Sequence, residues 1–237
     1  MSEESVEIPA GPEQVWAAIT TDSGAWSFQV DVEEDTVHVR REPFAPDATA
    51  TLTGWEPPGR FAYEDPTFAT EYLITARDNG SCVLRVVNSL RVDGEGWDDI
   101  AEQAAKGWRM TLEVLRVYAT HFAGMPSARI DLMTPVNAPE TARAQVGRQM
   151  FAELGIEGSA CDGPLITGVV EHQGPYFALL RTTEAMFAIS AFPMDAVTLS
   201  INVTGRVYGP DAEAVAARER PRWQDWLGEL VDRIGKD

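Results

Sequence analysis

The chain has 237 residues and a net charge of −18 at pH 7, from 37 acidic and 19 basic side chains. So acidic a surface repels nucleic acid and anionic lipid, and neither is expected as a partner. The length suits one large domain or two small ones, and 44% hydrophobic residues are enough for a real core.

In chain order, Ser5–Pro9 reads as a short strand. Pro12 then opens a helix at the position where its missing N–H costs nothing, and Val15, Trp16 and Ile19 form the apolar stripe. Asp22-Ser23 leads to a short helical piece carrying Trp26 and Phe28. Strand-like stretches follow at 30–39, 48–55, 60–64, 70–76 and 81–92. Glu56-Pro57-Pro58-Gly59 marks one turn. Asn79-Gly80, between two β-rich runs, marks a hairpin. Residues 98–122 then carry apolar or small side chains at Ala101, Ala104, Ala105, Trp108, Leu112, Leu115, Tyr118, Ala119 and Phe122, one face of a long helix. Asp98 and Asp99 suit its first turn, and Gly124 and Pro126 end it. This is the helix on which the preceding strands are expected to fold.

Residues 123–128 read as a linker. A strand at 129–134 follows, then a helix opened by Pro139-Glu140 with Val146, Met150 and Leu154 on one face. Residues 155–163 read as a loop, and strands as 165–171, 176–182, 186–191 and 197–208. The last helix starts at Asp211, carries Trp223, Trp226, Leu227, Leu230, Val231 and Ile234, and is expected to kink or restart at Pro221. The order strand, helix, antiparallel strands, long helix thus occurs twice, the second time about two strands shorter. Trp108, Leu112 and Leu115 repeat in spacing as Trp223, Leu227 and Leu230. A duplication, with domains at 1–123 and 129–237, is preferred over two unrelated units or one domain with a long tail.

Three places carry a family resemblance: VEIPAGPEQVWAAI at 6–19, LTGWEPPGRFAY at 52–63, and SCVLRVVNS at 81–89 followed by GWRMTLEVLRVY at 107–118. Together they resemble the SRPBCC superfamily, also called START-like or Bet v 1-like, in the branch named after the activator of Hsp90 ATPase. The likeness covers roughly residues 5–123; residues 209–230 also look like a closing helix of this group. It implies an α+β helix-grip fold, a curved antiparallel sheet wrapped around the long C-terminal helix with an apolar cavity between them. A second, degenerate helix-grip-like unit is expected to follow. Many relatives end the last strand with a histidine where this chain has Asn88. That substitution replaces a titratable group by a neutral donor and acceptor.

The family register and strand alternation turn Phe61, Tyr63, Tyr72, Ile74, Val86 and Asn88 toward the helix. Trp108, Leu112 and Leu115 face them from it, and Trp26 and Phe28 close one end. These eleven form the candidate ligand-binding set. Plain core packing competes for each, least so for Asn88 and Tyr63, whose polar groups need partners if buried.

Catalytic patterns are missing. His38, His121 and His172 are scattered without metal-ligand spacing, and no phosphate-binding loop, dinucleotide fingerprint or Gly-x-Ser-x-Gly occurs. No metal and no cofactor are therefore expected. Cys82 and Cys161 form no CxxC and read as free thiols of a reducing compartment. The first residues lack an apolar signal core and no run reaches membrane-spanning length, so a cytoplasmic protein without membrane insertion is expected. The reading is non-catalytic binding of a small hydrophobic or amphipathic molecule, with homodimerisation open. The alternatives are a polyketide cyclase/aromatase-like or hydrolase-like enzyme that works by positioning substrate, with Tyr63, Asn88 or Arg85 polarising a carbonyl, although alternation sets Arg85 on the opposite face of its strand, and an Hsp90-type chaperone regulator.

Overall fold

The computed structural model describes residues 2–91 and 97–234, with backbone alone at Leu90 and residues 97–106. The chain divides into two compact units, Met1–Gly124 and Met125–Asp237. In the first, β1 (Ser2–Ile8) leads into α1 (Pro12–Ile19), with Pro12 in its first turn as its fixed φ favours. Then come β2 (Gln29–Glu33), β3 (Thr36–Arg40), β4 (Ala48–Glu56), β5 (Arg60–Glu64), β6 (Phe68–Ala76), β7 (Cys82–Leu90) and the long helix α2 (Trp97–His121). All seven strands join one antiparallel sheet in the order β1-β7-β6-β5-β4-β3-β2. The first strand thus closes beside the last, and α2 packs along β1 and β7.

Three local expectations change. The stretch 30–39 is a hairpin, not one strand; it turns at Glu34-Asp35, where Glu34 takes the left-handed region at φ 55°. The short helical piece is a single 3-10 turn over Ser23–Ala25; Trp26 follows as its C-cap and Phe28 lies in the bend before β2. The strand expected to reach residue 92 is paired to Leu90; Val92 lies outside the described residues, as do the side chains of Asp98, Asp99, Ala101, Ala104 and Ala105. The Asn79-Gly80 turn is as expected. Gly80 sits at φ 79°, and Asn79 Oδ1 accepts from Ser81 N at 3.2 Å.

The second unit runs β8 (Ser127–Asn137), α3 (Glu140–Glu153), β9 (Ile156–Glu157), β10 (Ala160–Asp162), β11 (Thr167–Gln173), β12 (Phe177–Arg181), β13 (Ala185–Pro193), β14 (Thr198–Tyr208) and α4 (Ala212–Ile234). Its sheet order, β8-β14-β13-β12-β11-β10-β9, is that of the first unit strand for strand. It is not two strands short. The stretch 155–163 folds into the small hairpin β9–β10, with Gly155 and Gly158 at φ 63° and 61°. Strands of two and three residues are too brief to show a period of two. Nor does Pro221 divide α4, which continues from Ala212 to Ile234. Ala212, Ala216, Trp223, Trp226, Leu227 and Leu230 are buried along it, and that burial outweighs the ~3 kcal/mol usual for an interior proline.

An unforeseen feature of this unit is a buried ion pair. Arg206 Nη1 lies 2.6 Å from Asp131 Oδ1, and Arg129 Nε donates to Asp131 Oδ2 at 2.8 Å. Arg206 is only 1% exposed, and burial lowers its pKa.

Candidate ligand-binding cavity

The inner face of the first sheet holds a row of polar residues that the strand register places side by side. Tyr63 on β5 stands opposite Thr70 on β6, and Thr70 opposite Asn88 on β7. Asn88 Nδ2 donates to Thr70 Oγ1 at 2.9 Å, in a buried site. The Tyr63 and Tyr72 hydroxyls share this face with Thr70 and influence one another's protonation. Burial raises the hydroxyl pKa of Tyr63, and that of Tyr72 further, so both stay protonated at neutral pH. Thr70 and Asn88 are 5% and 7% exposed, whereas Tyr63 is half-buried because one side faces open space.

That space is a cavity of about 310 Å³. Tyr63, Thr70, Tyr72 and Asn88 line it from the sheet, and Gly107, Trp108 and Thr111 from α2. Trp26, Phe28, Val30, Val39, Ala48 and Ala50 line it from the β2–β4 side. Ile19, Ser23, Ser27, Phe68 and the two charged residues Arg41 and Asp65 complete the lining. Its rings are held from behind. Trp26 Nε1 donates to Ala18 O at 2.7 Å in a buried position. Phe28 leans on Phe44 at 6.2 Å between centroids. Trp108 meets Tyr72 edge-on at 5.7 Å.

Of the eleven candidate residues, Trp26, Phe28, Tyr63, Tyr72, Asn88 and Trp108 line the cavity. Phe61, Ile74, Val86, Leu112 and Leu115 do not; all five are buried. Phe61 is enclosed by rings: it stacks on Tyr72 at 5.7 Å and has Trp55 at 5.6 Å and Trp16 at 6.4 Å. Leu112 and Leu115 lie on the part of α2 that closes onto its neighbours, while the cavity opens at the turn before it, Gly107–Thr111. Alternation assigns a face but not a position along that face, so core and cavity residues share one pattern.

Thr70 was missed though legible. The pair Ala76–Cys82 beside the Asn79-Gly80 turn propagates to Thr70–Asn88. Gly107, Arg41 and Asp65 carry no periodic signal. Arg85, set on the other face of its strand by the sequence, is exposed and pairs with Glu3 at 3.3 Å. Among the described residues no group of three His, Cys, Asp or Glu is arranged to hold a metal ion. His121 sits in the last turn of α2. No helix of the described residues is long and apolar enough to cross a membrane.

Two other depressions are less suited to an apolar guest. One of about 850 Å³ along β2 is rimmed by Asp31, Glu33, Glu34 and Arg40. One of about 230 Å³ in the second unit lies between residues 165–167 and α4; it is lined largely by apolar residues such as Leu165, Phe187, Val207 and Trp223, with Glu184, Glu219 and Arg222 at it too, and is the smaller of the two sheet-to-helix spaces.

Each unit is therefore a sheet wrapped on its closing helix. The chain is a tandem helix-grip fold. This is the fold of the SRPBCC, START-like superfamily that the first half resembles. No protein-family model and no curated protein matches the sequence. Among solved structures, the di-domain ARO/CYC BexL from the BE-7585A biosynthetic pathway is similar over 99% of this chain and 97% of its own, at 13% identity and TM-score 0.46. CalU16 from Micromonospora echinospora matches 50% of this chain and 74% of its own, at 16% identity and TM-score 0.40. The Aha1 dimer from Colwellia psychrerythraea matches 49% of this chain and 93% of its own, at 15% identity and TM-score 0.41. At such identities the likeness is one of fold, and function has to be argued from the cavity.

Proposed function

We propose that the first unit binds a small hydrophobic or amphipathic molecule between its sheet and α2, without chemical turnover. The observation that carries this reading is an aromatic-lined cavity of about 310 Å³ whose sheet side presents hydrogen-bonding groups in a row. Apolar walls with a few placed polar groups are the usual build of a small-molecule site. At interior packing density the volume accommodates on the order of fifteen non-hydrogen atoms. The free, buried Cys82 and Cys161 support a reducing, cytoplasmic setting as part of this reading.

The test is titration with the neutral fluorophore N-phenyl-1-naphthylamine, read by its emission and by quenching of tryptophan. Saturable one-to-one binding that Trp108→Ala weakens supports the reading. No binding by the wild-type chain rejects it.

A second reading has one specific observation in its favour. The Tyr63 hydroxyl, kept protonated by burial, lines the cavity together with Asn88, where it could donate to a bound carbonyl. An enzyme of the cyclase or hydrolase kind would lose turnover in Tyr63→Phe or Asn88→Ala. Unchanged turnover in both would remove these residues from any mechanism.

A further inference from the structure

Arg41 directly follows β3 and differs from its neighbour. Arg40 is exposed and pairs with Asp31 at 3.0 Å, a surface ion pair of the usual kind. Arg41 is half-buried and lines the cavity. The loop holds it from two sides: its Nε donates to Pro46 O at 2.8 Å, and its backbone N–H donates to Asp47 Oδ1 at 2.8 Å. Its two Nη groups meet no carboxylate and no other hydrogen-bond partner among the described residues. Arg77, Arg143, Arg148 and Arg220 are likewise without a carboxylate at ion-pair distance among the described residues, but Arg41 alone lines this cavity. Asp65, the other charged residue of the lining, is occupied. Its Oδ1 accepts from the backbone N–H groups of Thr67 and Phe68 at 2.6 and 2.7 Å, which makes it a turn former.

At the Tyr63 hydroxyl the two charges oppose each other, Asp65 disfavouring the ionised form more than Arg41 favours it. A guanidinium is weakly hydrated and presents parallel donors to planar oxyanions. The acidity of the rest of the chain opposes an anion only at long range, and salt screens that repulsion beyond about 8 Å. We propose that the ligand of this cavity is an amphipathic carboxylate, with its apolar body against Trp26, Phe28 and Trp108 and its carboxylate on the Nη groups of Arg41. The inference rests on the cavity-binding reading above and narrows it to one ligand class.

The experiment is competition against N-phenyl-1-naphthylamine by 2-naphthoate and by its uncharged methyl ester, on the wild-type chain, Arg41→Gln and Arg41→Lys. Circular dichroism melts verify that the three chains fold alike. The expected result is that 2-naphthoate displaces the probe about ten- to a hundredfold more tightly than the ester. Arg41→Gln brings the two competitors to parity, and Arg41→Lys keeps part of the preference. Equal displacement by acid and ester in the wild type, with the probe bound, overturns the carboxylate assignment and leaves the cavity reading intact. A preference that survives in Arg41→Gln overturns the role of Arg41. A wild-type chain that binds neither probe nor competitor overturns both readings.

Discussion

Thr70→Val tests the polar row at its centre. Valine keeps the shape and the β-branching but removes the hydroxyl that accepts from Asn88 Nδ2 at 2.9 Å. The Asn88 amide then stands at a site 7% exposed without its acceptor. An unmet buried donor costs about 1–3 kcal/mol, and the added methyl returns less than about 1 kcal/mol. A net loss of about 1–2 kcal/mol is expected. Asn88→Leu removes the other partner, and the double variant should cost less than the sum of the singles by about 1 kcal/mol, since no orphaned group remains. The two units need not unfold together, so a whole-chain melt is the wrong readout. Hydrogen exchange of the β6 and β7 amides in increasing urea reports the first unit alone. Thr70→Val within about 0.5 kcal/mol of the wild type, and additive with Asn88→Leu, would refute the row as a connected network.

Three more outcomes are expected. A Cβ built on Gly107 meets nothing within 4 Å, so Gly107→Leu should stabilise α2 by about 0.5–1 kcal/mol while filling the cavity. Raised stability with undiminished probe binding would show that the probe sits elsewhere. Tyr63 and Tyr72 hold their protons more tightly when folded, because burial raises both pKa values above the unfolded value of about 10. Stability should be level below about pH 10 and fall as the pH rises past it, with their tyrosinate absorbance at 295 nm appearing only on unfolding. Flat stability through pH 11 would contradict the burial argument. In the second unit, Asp131→Ala leaves the buried Arg206 cation beside Arg129 with its carboxylate gone, and should cost about 3–5 kcal/mol by exchange of the β8 and β14 amides. A loss under 1 kcal/mol would mean that solvent reaches Arg206.

The fold was legible where its signals are local and repeated. Pro12, Asn79-Gly80, Pro139-Glu140 and the apolar faces of α2 and α4 each act within a few residues, and the elements they bound are found within a few residues of where they read. What failed depended on one residue or on contacts distant in sequence. Glu34 breaks an alternating run by adopting a positive φ, which alternation does not encode. The hairpin β9–β10 is too short to have a pattern. The cavity fared similarly. Tyr63, Tyr72, Asn88 and Trp108 could be named from face and polarity. Val86 and Leu115 share that pattern but lie at 1% and 0% exposure in closed packing. Arg41 depends on how a loop returns, and nothing local in the sequence marks it.

The two units also differ in the side chains their inner faces carry. Their strand orders correspond one to one, so inner faces can be compared. Where β7 carries Asn88 on that face, β14 carries Leu199, Ile201, Val203, Gly205 and Val207, all apolar or glycine. Where β5 and β6 carry Tyr63 and Thr70, β12 and β13 carry Ala178, Leu180, Phe187, Ile189 and Ala191 in the core. The helices follow suit. Trp223 is 1% exposed and stacks on Phe187 at 4.5 Å, while Trp108, its counterpart in spacing, stays half-buried and meets Tyr72 by its edge. An apolar inner face can close on its helix and gain from every contact. A face bearing Asn88, Thr70 and Tyr63 cannot be closed so cheaply, because each of these polar groups would then need a partner within the core. The polar row thus opposes closure of this face in the first unit, whereas the space of about 230 Å³ left in the second has no such row on its sheet side.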